Sequence, residues 1–145
     1  CEGEIGFVGY DGGVQSKGTD PVEAARFATE TGVDAMAISV GNTHLQTNAG
    51  DGLDEAKIAA IDTVTTVPLV IHGGSGVPHA QRARLARETS ICKFNIGTEL
   101  RQTFGSALRA ALAADPNRFD RVQILREIEA PIRAAAELAL RSLGR

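Results

Sequence analysis

Tryptophan is absent from this 145-residue chain, tyrosine occurs once and phenylalanine five times. So few rings cannot build the stacking platform that single-stranded nucleic acid requires. An excess of positive charge is missing as well. Fifteen Lys and Arg stand against eighteen Asp and Glu, for a net charge of -3, which offers neither nucleic acid nor an anionic membrane an electrostatic partner. No apolar run approaches the roughly 18 residues of a membrane span, and no secretory leader is recognisable. Cys1 and Cys92 are the only cysteines. Two make no disulfide framework, so a reducing, cytoplasmic setting is expected. What remains is ordinary for one soluble domain, with 43% hydrophobic and 23% charged residues. A chain of this length can bury about two thirds of its unfolded surface. It opens abruptly on CEGEIGFVG, which reads like an interior strand, as expected of a piece of a longer protein.

The pattern along the chain is strand, helix, repeated. A first strand is predicted from Glu4 to Gly9, followed by a glycine-rich loop to Gly18. Thr19 or Asp20 caps a helix with Pro21 in its first turn, Val22, Ala25, Phe27 and Ala28 on its apolar side, and Gly32 at its end. Ala35 to Val40 is a nearly continuous apolar strand, so both its faces should be covered. Ile58, Ile61 and Val64 mark a helix from about Leu53 to Val64. LVI after Pro68 is a third strand. A helix from His79 to Glu88 follows, with Ala83 and Leu85 pointing inward. Ile91 to Ile96 is the fourth strand, and helices follow over Glu99–Ala113 and Asp120–Leu143, the last with a bend expected near Pro131. Four strands alternating with helices mean parallel βα units with right-handed crossovers. The fold is either a small open α/β sheet or part of a (β/α)8 barrel, and both place ligands at the C-terminal strand ends.

His44 and His72 fall at such ends, in AISVGNTHL and PLVIHGGSG. Neutral imidazole is a good zinc ligand, and catalytic zinc uses three protein ligands plus an open position. Taken singly, each histidine also reads as a surface or satisfied core residue. His79, near a helix start, reads as exposed. His72 opens the segment HGGSG, in which Gly73, Gly74 and Gly76 allow close approach and backbone N–H groups can converge on a phosphate beside the Ser75 hydroxyl. An ordinary βα turn has the same composition. In KFNIGTEL, Asn95 is polar within a strand-like run, Gly97 and Thr98 sit at the strand-to-helix junction, and Thr98 could cap the helix or hold a second edge of the same phosphate. Lys93 could pair with an acid or form a Schiff base. Glu2 and Glu4 share one strand face. Glu4 is a candidate inner acid facing Lys93 or a metal, because an inward carboxylate is costly unless paired. Asp11, in a glycine loop, could carry an acid or base over a site. Arg121, Arg126 and Arg133 read as a solvated face, from which one could reach a second phosphate of a long substrate.

In order, EGEIG, GVDAMAISVGNTH, VPLVIHGGSGVP and KFNIGTEL resemble the class II, zinc-dependent ketose-bisphosphate aldolases, the group with fructose-bisphosphate and tagatose-bisphosphate aldolases. The resemblance covers the whole chain but only the second half of the family fold. It implies a (β/α)8 TIM barrel represented by its last four βα units, with residues 1–145 as the C-terminal half of one domain and the N-terminal half absent. It implies His44 and His72 as two of three zinc ligands, and Glu4 as an alternate or neighbouring carboxylate. Gly73, Gly74, Ser75, Asn95, Gly97 and Thr98 become the dihydroxyacetone-phosphate site, Asp11 the loop carboxylate in proton transfer, and Arg126 or Arg133 the far-phosphate contact. The implied reaction is reversible aldol cleavage of a phosphorylated ketose to dihydroxyacetone phosphate and an aldehyde, without a lysine Schiff base. Zinc, a monovalent cation (Na+ or K+), the missing half-barrel and a homo-oligomeric partner are also implied. Three departures stand out: Leu45 replaces the glycine that usually follows the first histidine, the loop GYDGG is poor in acids, and the family's late-helix arginine falls near Glu129, so that Arg126 or Arg133 is named for the far phosphate only as its substitute. A non-catalytic half-barrel or phosphate-binding module, and a phosphosugar isomerase or epimerase, are the alternative readings.

Overall fold

The computed structural model describes residues 1–10, 12–14, 16–45 and 51–144. Four strands form one parallel sheet: β1 (Glu2–Glu4), β3 (Ala35–Ile38), β5 (Leu69–Ile71) and β6 (Ile91–Phe94), in the spatial order β1-β3-β5-β6. A second, two-stranded parallel pair joins β2 (Gly9–Tyr10) to β4 (Thr43–His44) at the C-terminal end of the main sheet. The helices are α1 (Pro21–Thr31), α2 (Glu55–Val64), α3 (His79–Glu88), α4 (Thr98–Ala114) and α5 (Arg121–Arg141), and a short 3-10 turn covers Gly74–Gly76. Sequence order and spatial order agree along the sheet, so α1, α2 and α3 are the crossovers between neighbouring parallel strands, and α4 and α5 follow the last strand.

One face of the sheet carries Met36, Ile38, Leu69, Ile71 and Ile91, packed against Ala24, Ala28, Ile58, Ile61 and Leu85 of the helices. Each fully buried aliphatic side chain here contributes about 1.5–3 kcal/mol. The helix starts follow local chemistry. Asp20 caps α1 by accepting from the N–H groups of Val22 (2.9 Å) and Glu23 (3.1 Å). Gly32 ends it in the left-handed conformation, φ 63°.

Several sequence expectations shift. The first strand ends at Glu4 rather than Gly9, because Gly6 turns the backbone to φ 78° and pairing resumes only at Gly9. Val22, expected inside, is 77% exposed, and Ala24 fills the core position. On α3 the fully buried position is Arg82 rather than Ala83, alongside Leu85. Arg82 survives there because its guanidinium makes a two-pronged pair with Glu99 of α4 (3.3 and 3.1 Å) and donates to the Val77 carbonyl (3.0 Å). That pair ties α3 to the first turn of α4, and the Val77 bond ties it to the loop after β5.

Candidate active site

Both histidine-bearing strand ends are held by one buried side chain. Asn42 accepts from the Val40 N–H (2.7 Å) and donates to the carbonyls of Ile38 (3.2 Å) and His72 (2.9 Å). It therefore ties the end of β3 to the end of β5 and brings the two imidazoles together, with ring centroids 6.1 Å apart. Tyr10 lies against His44 at 5.1 Å between centroids and faces it across the β2–β4 pairing. Thr19 does for β1 what Asn42 does for β5: it donates to the Ile5 carbonyl (3.0 Å) and accepts from the Ser39 N–H (2.8 Å).

The loop after His72 comes within reach of Thr43 because Gly73 has no side chain. A Cβ there would stand 2.5 Å from the Thr43 carbonyl oxygen, and the φ of 63° is itself a glycine conformation. The neighbouring Ser75 Oγ accepts from the backbone N–H groups of Gly97 (3.1 Å), Thr98 (3.0 Å) and Glu99 (3.4 Å). Thr98 is not the cap of α4, which has no side-chain cap of its own. Its first N–H groups converge instead on a hydroxyl from the adjacent loop. The serine oxygen is the partner of these N–H groups in this structure, at a helix N-terminus of the kind that receives anions.

These pieces line a cavity of about 710 Å³ at the C-terminal strand ends, bounded by Tyr10, His44, Leu45, Gly73, Ser75, Asn95, Gly97, Thr98 and Arg101 among others. Arg101, one turn into α4, was not anticipated from the sequence; its position four residues after Gly97 was the available signal. Arg126 and Arg133 lie on α5 and do not line this cavity, and Arg133 is ion-paired with Glu129. Gly74 lies just behind the lining, its N–H donating to the Asn95 carbonyl (2.9 Å). Asp11 lies outside the described residues.

Beside the cavity, His72 stands between two carboxylates. Its Nε2 is 3.0 Å from Glu2 and its Nδ1 3.3 Å from Glu4. Glu2 also holds the Lys93 ammonium at 2.6 Å. The Lys93 hydrogen bond, then that of His72, keeps the Glu2 carboxyl below its ordinary range against the opposing effect of burial. Glu2, rather than Glu4, is therefore the partner of Lys93. Two imidazoles with a carboxylate on the Nδ1 side of His72 suit zinc in donor type. Among the described residues no cluster of three or more His, Cys, Asp or Glu side chains is arranged to hold a metal. A full shell needs at least one further ligand.

A parallel α/β sheet with imidazoles, a glycine loop and a helix N-terminus gathered at its C-terminal edge is the class of fold from which (β/α)8 barrel enzymes are built. The comparisons narrow this class. A family profile described as fructose-bisphosphate aldolase class-II matches residues 1–145, and the chain belongs to that family. Among curated proteins it is 36% identical over 146 residues to a 6-phospho-5-dehydro-2-deoxy-D-gluconate aldolase from Shouchella clausii strain KSM-K16, covering 99% of this chain and 50% of that protein. Among solved structures it resembles the YdjI aldolase from Escherichia coli K12, with 30% identity, TM-score 0.66, and coverage of 99% of this chain and 45% of that one. A fructose-bisphosphate aldolase from Campylobacter jejuni shares the fold at 20% identity and TM-score 0.70, over 88% of this chain and 45% of that one. The chain thus spans about half the length of the relatives it matches. The barrel expectation holds for the fold class over that half.

Proposed function

We propose that this chain is the C-terminal half of a zinc-dependent class II aldolase that cleaves a phosphorylated ketose reversibly to dihydroxyacetone phosphate and an aldehyde. The observation that carries the reading is the single cavity in which His44 meets the Ser75, Gly97 and Thr98 anion cradle. His44 and His72 would hold the zinc, with Glu4 as the nearest carboxylate. When bound, zinc supplies Lewis-acid polarisation of the substrate carbonyl. The chain's own residues do the rest. The N–H groups of Gly97 and Thr98, with the Ser75 hydroxyl, receive the phosphate at the start of α4. Arg101 adds the positive charge. Asn95 presents its amide to a substrate hydroxyl. Asp11 moves the proton from its loop. Lys93 is engaged by Glu2 at 2.6 Å, which fits a structural cation better than a Schiff-base nucleophile.

The remaining zinc ligand and the acid that serves the aldehyde oxygen come, in this reading, from the N-terminal half of the barrel. A cytoplasmic homo-oligomer with a monovalent cation (Na+ or K+) near the phosphate completes the proposal. The 145-residue chain alone is expected to show no zinc-dependent cleavage of a ketose bisphosphate, and co-expression with the first half of a family member is expected to restore it. Substantial turnover by the isolated chain would overturn the reading.

Among the described residues of this half, Arg101 lines the cavity at the cradle, and Arg126 and Arg133 do not. This favours a substrate with a single phosphate, of the kind named for the Shouchella relative. In the reconstituted enzyme, a monophosphate should then be cleaved with a lower KM than the matching bisphosphate. The opposite order would return the choice to the bisphosphate.

A further inference from the structure

Glu2 and Lys93 sit on opposite edges of the sheet, on β1 and β6, with β3 and β5 between them. Three strand spacings amount to about 14 Å in a flat sheet, yet the carboxylate and ammonium meet at 2.6 Å. Three features allow this. The residues beneath the pair, Ala37 and Val70, are short, fully buried and in register with Glu4 and Lys93. The side chains above, a glutamate and a lysine, are long. The fourth strand adds a register irregularity: Leu69 pairs with Ile91 but Val70 pairs with Lys93, so β6 carries one extra residue at Cys92. That bulge turns Lys93 to the face of Glu2, although Ile91, two residues earlier, packs into the helix-side core.

The other Glu2 oxygen faces His72 Nε2 at 3.0 Å, while Glu4 faces Nδ1 at 3.3 Å. A neutral imidazole has one N–H, so only one of these carboxylates can accept from it. On the neutral ring the other faces a lone pair, an arrangement made favourable by a cation between them; on the protonated ring both carboxylates would accept. The two acids are not equivalent. Glu2 is pinned by Lys93, whereas Glu4 has His72 as its one ion-pair partner among the described residues.

We propose that Lys93 and Glu2 are positioning residues that set the His72 tautomer: Glu2 accepts from Nε2–H, and Nδ1 is left on the Glu4 side as the metal-donating nitrogen. Lys93 acts through Glu2 and touches neither metal nor substrate. The metal half of this proposal rests on the zinc reading above; the tautomer half does not. The bulge at Cys92 is then a functional feature, because without it Lys93 would point into the apolar core.

Two measurements test the assignment. Nitrogen-15 NMR of the histidines, on metal-free wild type in alkaline buffer, should show His72 protonated at Nε2. A ring protonated at Nδ1 overturns the proposal without any variant that must fold. Zinc affinity, read by chelator competition after reconstitution with the N-terminal half that supplies the remaining ligand, should fall about 10–100-fold in Lys93→Met, as for other residues that orient metal ligands, and be largely restored in Lys93→Arg. Unchanged affinity in a folded Lys93→Met chain overturns the role of Lys93. Reconstituted wild type that takes up no zinc overturns the metal reading itself, and the NMR result on the chain still decides what Glu2 does.

Discussion

The Ser75 hydroxyl oxygen lies 3.0 Å from the backbone nitrogen of Thr98 and caps a helix to which it does not belong. The serine sits in the loop after β5, and the helix follows β6. An N-cap drawn from a neighbouring unit makes the two loops one object, and the anion cradle exists only while they stay together. Ser75→Ala should therefore cost about 1–2 kcal/mol of stability, measured by urea denaturation, and raise the inorganic phosphate concentration needed for half-saturation. Equal phosphate binding by the variant would show that the hydroxyl merely caps.

Asn42 is the buried link between the two histidine-bearing strand ends. Asn42→Leu keeps the branched outline of the side chain but leaves the Val40 N–H and the His72 carbonyl without their partner. A buried donor left unsatisfied costs about 1–3 kcal/mol, so a drop of that order in unfolding free energy is expected. Zinc uptake should weaken in parallel, since the distance between His44 and His72 is no longer held.

Leu45 occupies the left-handed region with φ 58°, alone among the described residues other than glycine. The position keeps a glycine's backbone while carrying a leucine. A left-handed L-residue costs about 1–2 kcal/mol, and glycine's extra chain entropy returns about 0.5–1 kcal/mol of that. The side chain is 50% exposed, so little apolar burial is lost on removing it. Leu45→Gly should thus stabilise the protein by about 0.5–1 kcal/mol, read from the denaturation midpoint, and should widen the cavity it lines.

Glu55 joins α2 to α3. Arg84 meets its carboxylate at 2.8 and 2.5 Å, and Gln81 at 2.7 Å. Arg84 first, then Gln81, bring its pKa from 4.5 down to about 2. A value depressed by folding means that the contribution is complete above about pH 4.5 and fades as pH falls through about 2. Wild type should accordingly be more stable than Glu55→Gln near neutrality, with the difference shrinking across that window. Exposure and salt screening keep the effect modest. Parallel acid titrations followed by circular dichroism would detect it, and curves offset by a constant amount would contradict it.

Most of the element order was legible from local signals. The Asp20 cap, Pro21, Gly32, the apolar runs and the isoleucine spacing of α2 each act over a few residues, so the sequence carries them directly. The same holds for His44, His72 and the glycine loop, which stand at strand ends that the pattern locates. Arg82, Asn42 and Arg101 were not legible. A buried arginine in a polar-looking helix is recognisable only once Glu99 is known to stand opposite. Asn42 looked like one more loop polar residue until its bonds crossed to β5.

By itself the sequence determined the parallel βα order and which residue types stand at the strand ends, because propensity, capping and hydrophobic period are local properties. Only the tertiary structure decided which of Glu2 and Glu4 meets Lys93, which residue caps α4, and which arginine reaches the cavity. Those outcomes depend on strand order and on a one-residue bulge in β6, both set by contacts between segments far apart in the chain.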